Sequence, residues 1–126
     1  MTNQFVTNLN KMKDSITEGN GELDVNLRGN LVTYARELTL NQAINSDQIP
    51  EALRPYLNKV ILHAYKTTDN DIEQLKNSGY SEDEIFELTI SAAFGAGYAR
   101  YLQGIALLQS SEELLEDHIG EFAFAQ

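Results

Sequence analysis

The sequence predicts an all-α fold of six or seven helices in a single domain covering residues 1–126. Apolar residues recur every three or four positions through most of the chain, as they do on one face of a helix. The run from Ser81 to Leu108 has a helix start signal and no proline, and could form a central helix about 40 Å long. A chain of 126 residues also suits a single hydrophobic core.

The first predicted element is an amphipathic helix within residues 1–20, which forms an N-terminal arm. Its apolar residues stand at spacings of four, three and four, and they are Phe5, Leu9, Met12 and Ile16. Gly19-Asn20-Gly21 then ends the pattern. Because the rest of this helix is polar, we expect its single apolar stripe to dock against another element.

The second predicted helix runs from about Asp24 to Leu40. Glu22 to Leu27 alternates as a strand would, but the apolar residues that follow keep helical spacing. A turn at Asn45-Ser46-Asp47 should follow, and Pro50 suits the first turn of the next helix.

Two further helices are predicted before the central one. The first extends from Glu51 to about Lys66, with one broad apolar face and Leu62 on the opposite side. The second is short, is anchored by Ile72 and Leu75, and stops at Asn77-Ser78-Gly79.

The central helix begins at a capping box formed by Ser81 and Glu84. One side of it carries only small residues, which are Ser91, Ala92, Gly95, Ala96 and Ala99. Such a strip lets another helix approach closely, either within the same domain or across a subunit interface. The opposite side carries bulky apolar residues, so we expect the helix to be covered on both sides.

The last predicted element is a C-terminal helix and tail in residues 110–126. Ser110 and Glu113 form a second capping box, and the tail ends in the apolar sequence Phe122-Ala123-Phe124. We expect this tail to dock against protein.

Composition excludes several classes of function. A formal net charge of −10 argues against nucleic acid and membrane surfaces as partners. The absence of cysteine removes disulfides, thiolate nucleophiles and zinc–thiolate sites, and two histidines are too few for a histidine-rich metal site. No signal peptide or membrane span is evident, so a cytoplasmic protein without metal or cofactor is expected.

Two charged residues interrupt the faces of the central helix. Glu87 lies on the bulky side and Arg100 beside the small residues, about 140° apart, so they should not pair within one subunit. Each therefore needs solvent, an intersubunit partner or a ligand.

Few residues could support acid–base chemistry. Tyr56, Lys59 and His63 share one flank of the helix predicted from Glu51. His63 could act as a general acid or base, although a histidine beside an apolar face can also be purely structural. His118, near a helix end, is expected to be a surface residue.

The segment from Gly79 to Leu88, followed by the Ala- and Gly-rich Ser91 to Ala99, resembles the alkylhydroperoxidase D-like, or carboxymuconolactone decarboxylase, superfamily. The preceding segment, from Tyr56 to Asp71, is similar to cysteine-free members of that group, and the resemblance covers residues 50–108. It implies an all-helical fold and a homo-oligomer, commonly a trimer or hexamer.

The redox motif of that superfamily is missing. Counted back from Gly79, its two cysteines would fall near Ala64 and Thr67 and its histidine near Asp71, and Glu51 stands at about the distance of its upstream glutamate. Thiol peroxidase chemistry requires a thiolate, so it does not carry over.

Three hypotheses for the function follow. The first is a homo-oligomeric binding or accessory protein of the alkylhydroperoxidase D-like type, with a small-molecule ligand or a protein partner. The second is a cofactor-free lyase, decarboxylase or isomerase acting on a small carboxylated substrate. In it His63 would be the acid or base, assisted by Tyr56, Glu51 or Glu87, while Arg54 or Arg100 would hold a carboxylate. The third is an adaptor that uses Phe122-Ala123-Phe124 and the arm.

Overall fold

A computed structural model describes residues 2–42, 44 and 46–125, and the side chains of residues 4–42, 44 and 46–110. Within these residues the fold is all-α, as predicted, and contains no strand. It has five α-helices rather than six or seven, and they are α1 (Thr2–Glu18), α2 (Val25–Thr39), α3 (Arg54–Leu62), α4 (Asp69–Asn77) and α5 (Glu82–Ala125). Three short 3₁₀ turns, at Ser46–Gln48, Glu51–Leu53 and Ala64–Lys66, complete the described secondary structure.

The predicted helix from Glu51 to Lys66 is divided. A 3₁₀ turn precedes α3, and His63 ends α3 with φ −146° and ψ 59°, outside the helical region. A second 3₁₀ turn then follows. His63 thus lies at the end of a helix rather than on its flank.

The predicted separate helix starting at Ser110 is part of α5. An N-cap residue has non-helical dihedral angles, whereas Ser110 lies inside a helix that continues to Ala125. The side chains of Glu113, His118, Phe122 and Phe124 fall outside the described part, so the predictions that concern them are not tested.

The start of α5 is confirmed. The Ser81 amide donates to Glu84 Oε1 at 2.9 Å, and the Glu84 amide donates to Ser81 Oγ at 3.1 Å. Gly79 connects α4 to this capping box with φ +102°, a conformation that favours glycine. Helix α5 has 44 residues and is about 66 Å long at about 1.5 Å per residue.

The hydrophobic core is built around the contact between α2 and α5, the most extensive contact between two elements. Helix α3 closes the core on another side, and its Leu57 and Ile61 are almost completely buried. Among the described side chains of α5, those in the core fall between Ile85 and Ala99. The described side chains of residues 100–110 therefore lie beyond these core positions.

The strip of small residues on α5 makes the close contact with α2. Its members, Ser91, Ala92, Gly95, Ala96 and Ala99, are all buried within one chain. A Cβ atom added at Gly95 would overlap the Val32 carbonyl oxygen and lie 2.8 Å from Ala35 Cβ. The strip thus packs inside the domain, as one of the two alternatives predicted.

A pair of alanine substitutions tests this contact. Gly95→Ala should lower the free energy of unfolding, because overpacking against backbone costs about 1–3 kcal/mol and exceeds the gain in helix propensity. Gly97→Ala is the matched control, since a Cβ there meets nothing within 4 Å. It should raise the free energy of unfolding by about 0.5–1 kcal/mol. Urea unfolding of both variants measures the effect, and equal stability would contradict the proposed close approach.

Candidate functional site: a pocket between α1, α2 and α5

A pocket of about 370 Å³ opens to solvent between the end of α1, the α1–α2 loop, α2 and the first turns of α5. We refer to it as the α1–α2–α5 pocket. Its lining combines charged, polar and apolar side chains with loop backbone, and comprises Ser15, Ile16, Asn20, Gly21, Glu22, Arg28, Asp83, Phe86, Glu87, Ile90 and Ser91.

Glu87 holds the α1–α2 loop against α5. Its two carboxylate oxygens accept the backbone N–H of Glu22 at 2.9 Å and of Leu23 at 2.7 Å. These amides immediately precede α2 and have no partner within a helix, so the carboxylate satisfies them. A Cβ at Gly21 would overlap the Glu87 carboxylate, so a larger residue there would displace this side chain from the loop. The charge at Glu87 has a partner within the chain.

Arg28 is the buried charge of the pocket. Its side chain is 4% exposed, and Nη1 donates to the Ile16 carbonyl oxygen at 3.1 Å. That carbonyl belongs to the last turn of α1, where carbonyl groups lack helical partners. Arg28 Nε is buried and has no hydrogen-bond partner. The guanidinium thus joins α2 to α1 and keeps an unused donor.

The acid–base candidate His63 does not line this pocket. It is exposed, and its ring stands edge-on to the exposed Tyr65 with 6.0 Å between the ring centroids. Tyr56 is buried, and its hydroxyl is 2.8 Å from Thr89 Oγ1. Of the four residues considered for catalysis, Glu87 lines the pocket, while Glu51 is exposed at the start of a 3₁₀ turn. The structure does not bring these four residues together around the pocket.

The two arginines considered for substrate binding instead bind backbone carbonyl groups. Arg54 donates to the carbonyl oxygens of Ser46 and Ile49, with distances of 2.8–3.2 Å. Arg100 Nη2 donates to the Ile61 carbonyl oxygen at 2.8 Å, near the end of α3. Both side chains therefore join neighbouring elements.

Two of the three positions that correspond to the redox motif lie on the surface. Ala64 and Thr67 are exposed at the turn between α3 and α4. Asp71 pairs with Lys59 at 2.8 Å and also accepts the Thr68 amide in the capping box of α4. The hydrogen bond from Lys59 is the main cause that lowers the pKa of Asp71, and the Thr68 amide adds to it. A structural ion pair occupies this region.

The described residues contain no group of three or more histidine, cysteine, aspartate or glutamate side chains placed to hold a metal ion. In that same part of the chain, no helix combines the length and apolarity needed to cross a membrane.

Comparison with protein-family models, with curated proteins and with solved structures finds no match to this chain.

Sequence reasoning found Glu87 but missed Arg28. Arg28 stands three residues before Leu31 and seven before Ala35, both buried residues of α2. A search for charges on the apolar face of α2, like the one that singled out Glu87 on α5, would have found it. Gly21 was identified only as a helix terminator, because its contact with Glu87 joins positions far apart in the chain.

Replacing the Glu87 carboxylate should loosen the loop. Glu87→Gln keeps the size but leaves one carbonyl oxygen for two amides, so the free energy of unfolding should fall by about 1–3 kcal/mol. Glu73→Gln on the exposed side of α4 is the control and should change it by less than about 0.5 kcal/mol. Urea unfolding measures the free energy of unfolding of both variants. If Glu87→Gln were as stable as Glu73→Gln, the two hydrogen bonds would contribute nothing to stability.

The Lys59–Asp71 pair predicts a pH dependence. The pKa of Asp71 is lower in the folded protein than its ordinary value of 3.8. Its contribution to stability is therefore present above about pH 3.8 and is lost as the pH falls through the lowered pKa. Asp71→Asn should be less stable than the wild type at pH 7, and the difference should shrink as the pH falls below 3.8.

Asp69→Asn is the matched control, since Asp69 lies in the same helix turn and has no hydrogen-bond partner in the described structure. At pH 7 the free energy of unfolding of Asp69→Asn should differ less from that of the wild type than the value for Asp71→Asn does. Urea unfolding between pH 3 and 7 measures all three proteins, and a pH-independent difference for Asp71→Asn would contradict the assignment.

Proposed function

We propose that this protein is a homo-oligomeric binding or accessory protein of the alkylhydroperoxidase D-like type, acting in the cytoplasm without thiol peroxidase activity. The observation that carries the proposal is the α1–α2–α5 pocket, which contains a buried guanidinium with an unused donor. The lyase or isomerase hypothesis needs His63 in an enclosed site, and the exposed position of His63 does not favour it.

The second half of α5 supports the oligomeric part of the proposal. Ala99 is the last α5 residue in the core among the described side chains, and the helix continues for 26 residues beyond it, to Ala125. Large apolar side chains in its described part are exposed, with Leu102 at 40%, Leu107 at 70% and Leu108 at 60%. A helix gains most of its stability from packing an apolar face, so a second subunit would supply what this half lacks.

The spacing of apolar residues along α5 favours another copy of the same helix as the partner. Residues at alternating intervals of four and three follow one line, and they are Phe94, Tyr98, Tyr101, Ile105 and Leu108. This is the spacing of a coiled-coil seam. Phe94 and Tyr98 stack within the line at 5.8 Å, and Phe5 of α1 covers Tyr101 at 5.1 Å between ring centroids. Ile105 and Leu108 continue the seam beyond Tyr101.

The adaptor hypothesis uses the same arm in a different way. Phe5 lies against Tyr101 of its own chain, although it is still 50% exposed, and Met12 is 53% exposed. The arm is thus partly docked within one subunit. The contact between Phe5 and Tyr101 favours an arm that completes the α5 seam over an arm that captures a partner protein.

Light scattering on the purified protein at micromolar concentration tests the assembly. We expect a mass that is a multiple of the 14.1 kDa chain, a trimer or hexamer if the resemblance holds. Leu108→Glu should shift the protein toward the monomer, because it places a charge in the seam. Gln103→Glu adds the same charge on the opposite side of α5 and should leave the mass unchanged. A monomeric wild type would remove the oligomeric part of the proposal.

A further inference from the structure

The α1–α2–α5 pocket contains a cation that the protein does not neutralise. Within the described side chains the ion pairs are Lys59–Asp71 and Lys76–Glu82, so Arg28 has no carboxylate partner there. One of its nitrogens binds the Ile16 carbonyl oxygen, while buried Nε binds nothing. The guanidinium lines the pocket and carries an uncompensated charge, so a carboxylate brought by a ligand would supply the missing counter-charge.

Acidic groups line the same pocket. The Glu87 carboxylate is occupied by the two loop amides. Glu22 and Asp83 are exposed, and their carboxylates accept no hydrogen bond within the described structure. These charges, together with a net charge of −10, would repel a simple anion from Arg28. A ligand that also carries a positive charge would instead be attracted to them.

The remaining lining is apolar, and the pocket is small. Ile16, Phe86 and Ile90 contribute hydrocarbon surface beside the charged groups. A volume of about 370 Å³ lies near the lower end of the range of about 300–1,000 Å³ for ligand pockets. A ligand with few heavy atoms and one apolar group fits these dimensions.

We propose that the α1–α2–α5 pocket binds a free α-amino acid with an apolar side chain. The carboxylate of the amino acid binds Arg28, its ammonium group faces Glu22 and Asp83, and its side chain packs against Ile16, Phe86 and Ile90. This inference rests on the proposed binding function and adds the chemical class of the ligand. It explains why a buried cation and unpaired acidic groups share one pocket without pairing.

Three related probes test the requirement for both charges. L-leucine, N-acetyl-L-leucine and L-leucinamide share the side chain, but the second lacks the ammonium group and the third lacks the carboxylate. In an NMR titration of the whole chain, leucine should shift the backbone amides of residues 15–28 and 83–91. Its dissociation constant should be at least tenfold lower than those of the other two. Equal affinities, or shifts confined to other residues, would overturn the proposal.

Two substitutions locate the charges. Arg28→Gln should abolish leucine binding, but it also removes the hydrogen bond to Ile16 and could detach α1. Asp83→Asn changes only an exposed carboxylate on the first turn of α5. It should weaken leucine binding about tenfold, equivalent to about 1.4 kcal/mol. It should not weaken the binding of N-acetyl-L-leucine, which is an anion that the Asp83 carboxylate repels. Glu73→Gln, on α4, is the control and should affect neither probe. Equal weakening of both probes by Asp83→Asn would overturn the assigned role of Asp83.

The same titration separates this inference from the binding function on which it rests. Acetate and methylammonium each carry one of the two charges. If either shifts the pocket amides as strongly as leucine does, the pocket is a ligand site but the amino-acid class is wrong. If leucine, isoleucine, methionine, phenylalanine and the two ions all leave these amides unshifted, the amino-acid inference fails, whereas the binding function, which names no ligand class, stands.

Discussion

The contact between α2 and α5 at Gly95 is the constraint on which the rest of the structure depends. The Val32 carbonyl group lies where a side chain at Gly95 would begin, so the two helix backbones approach each other directly. One turn earlier on each helix stand Arg28 and Ser91, which both line the pocket. The same contact therefore fixes the core and the separation between the two helices that bound the pocket.

Two charged side chains attach α1 and the α1–α2 loop to this helix pair. Glu87 of α5 accepts the amides of Glu22 and Leu23, and Arg28 of α2 donates to the last turn of α1. In both cases a charged side chain satisfies backbone groups that no helix can satisfy. These residues explain why a polar helix with a narrow apolar stripe packs on the domain. They also place the end of α1 at the pocket.

Local sequence signals predicted the parts of the fold that depend on local physics. The Ser81–Glu84 capping box and the bounds of α2 follow from caps and apolar spacing, and the structure agrees with them to within one or two residues. The break at His63 was not predictable, since no proline or glycine marks it. The separate helix predicted to begin at Ser110 was wrong, because serine at 110 and glutamate at 113 are also compatible with a helix interior. The position of Arg28 on the apolar face of α2 follows from helical spacing, but its bond to Ile16 and the unused donor at its Nε depend on contacts between distant segments.

Helix α1 connects the two surfaces to which function is assigned. Its last turn lines the pocket and binds Arg28, while its first turns place Phe5 over Tyr101 on the α5 seam. Both the pocket and this part of the seam are thus complete only when α1 is docked. A ligand that binds Arg28 favours the docked arm to the extent that its affinity differs between the docked and undocked states. Since the docked arm also covers part of the seam, any coupling between ligand binding and assembly would pass through α1, and it would act equally in both directions.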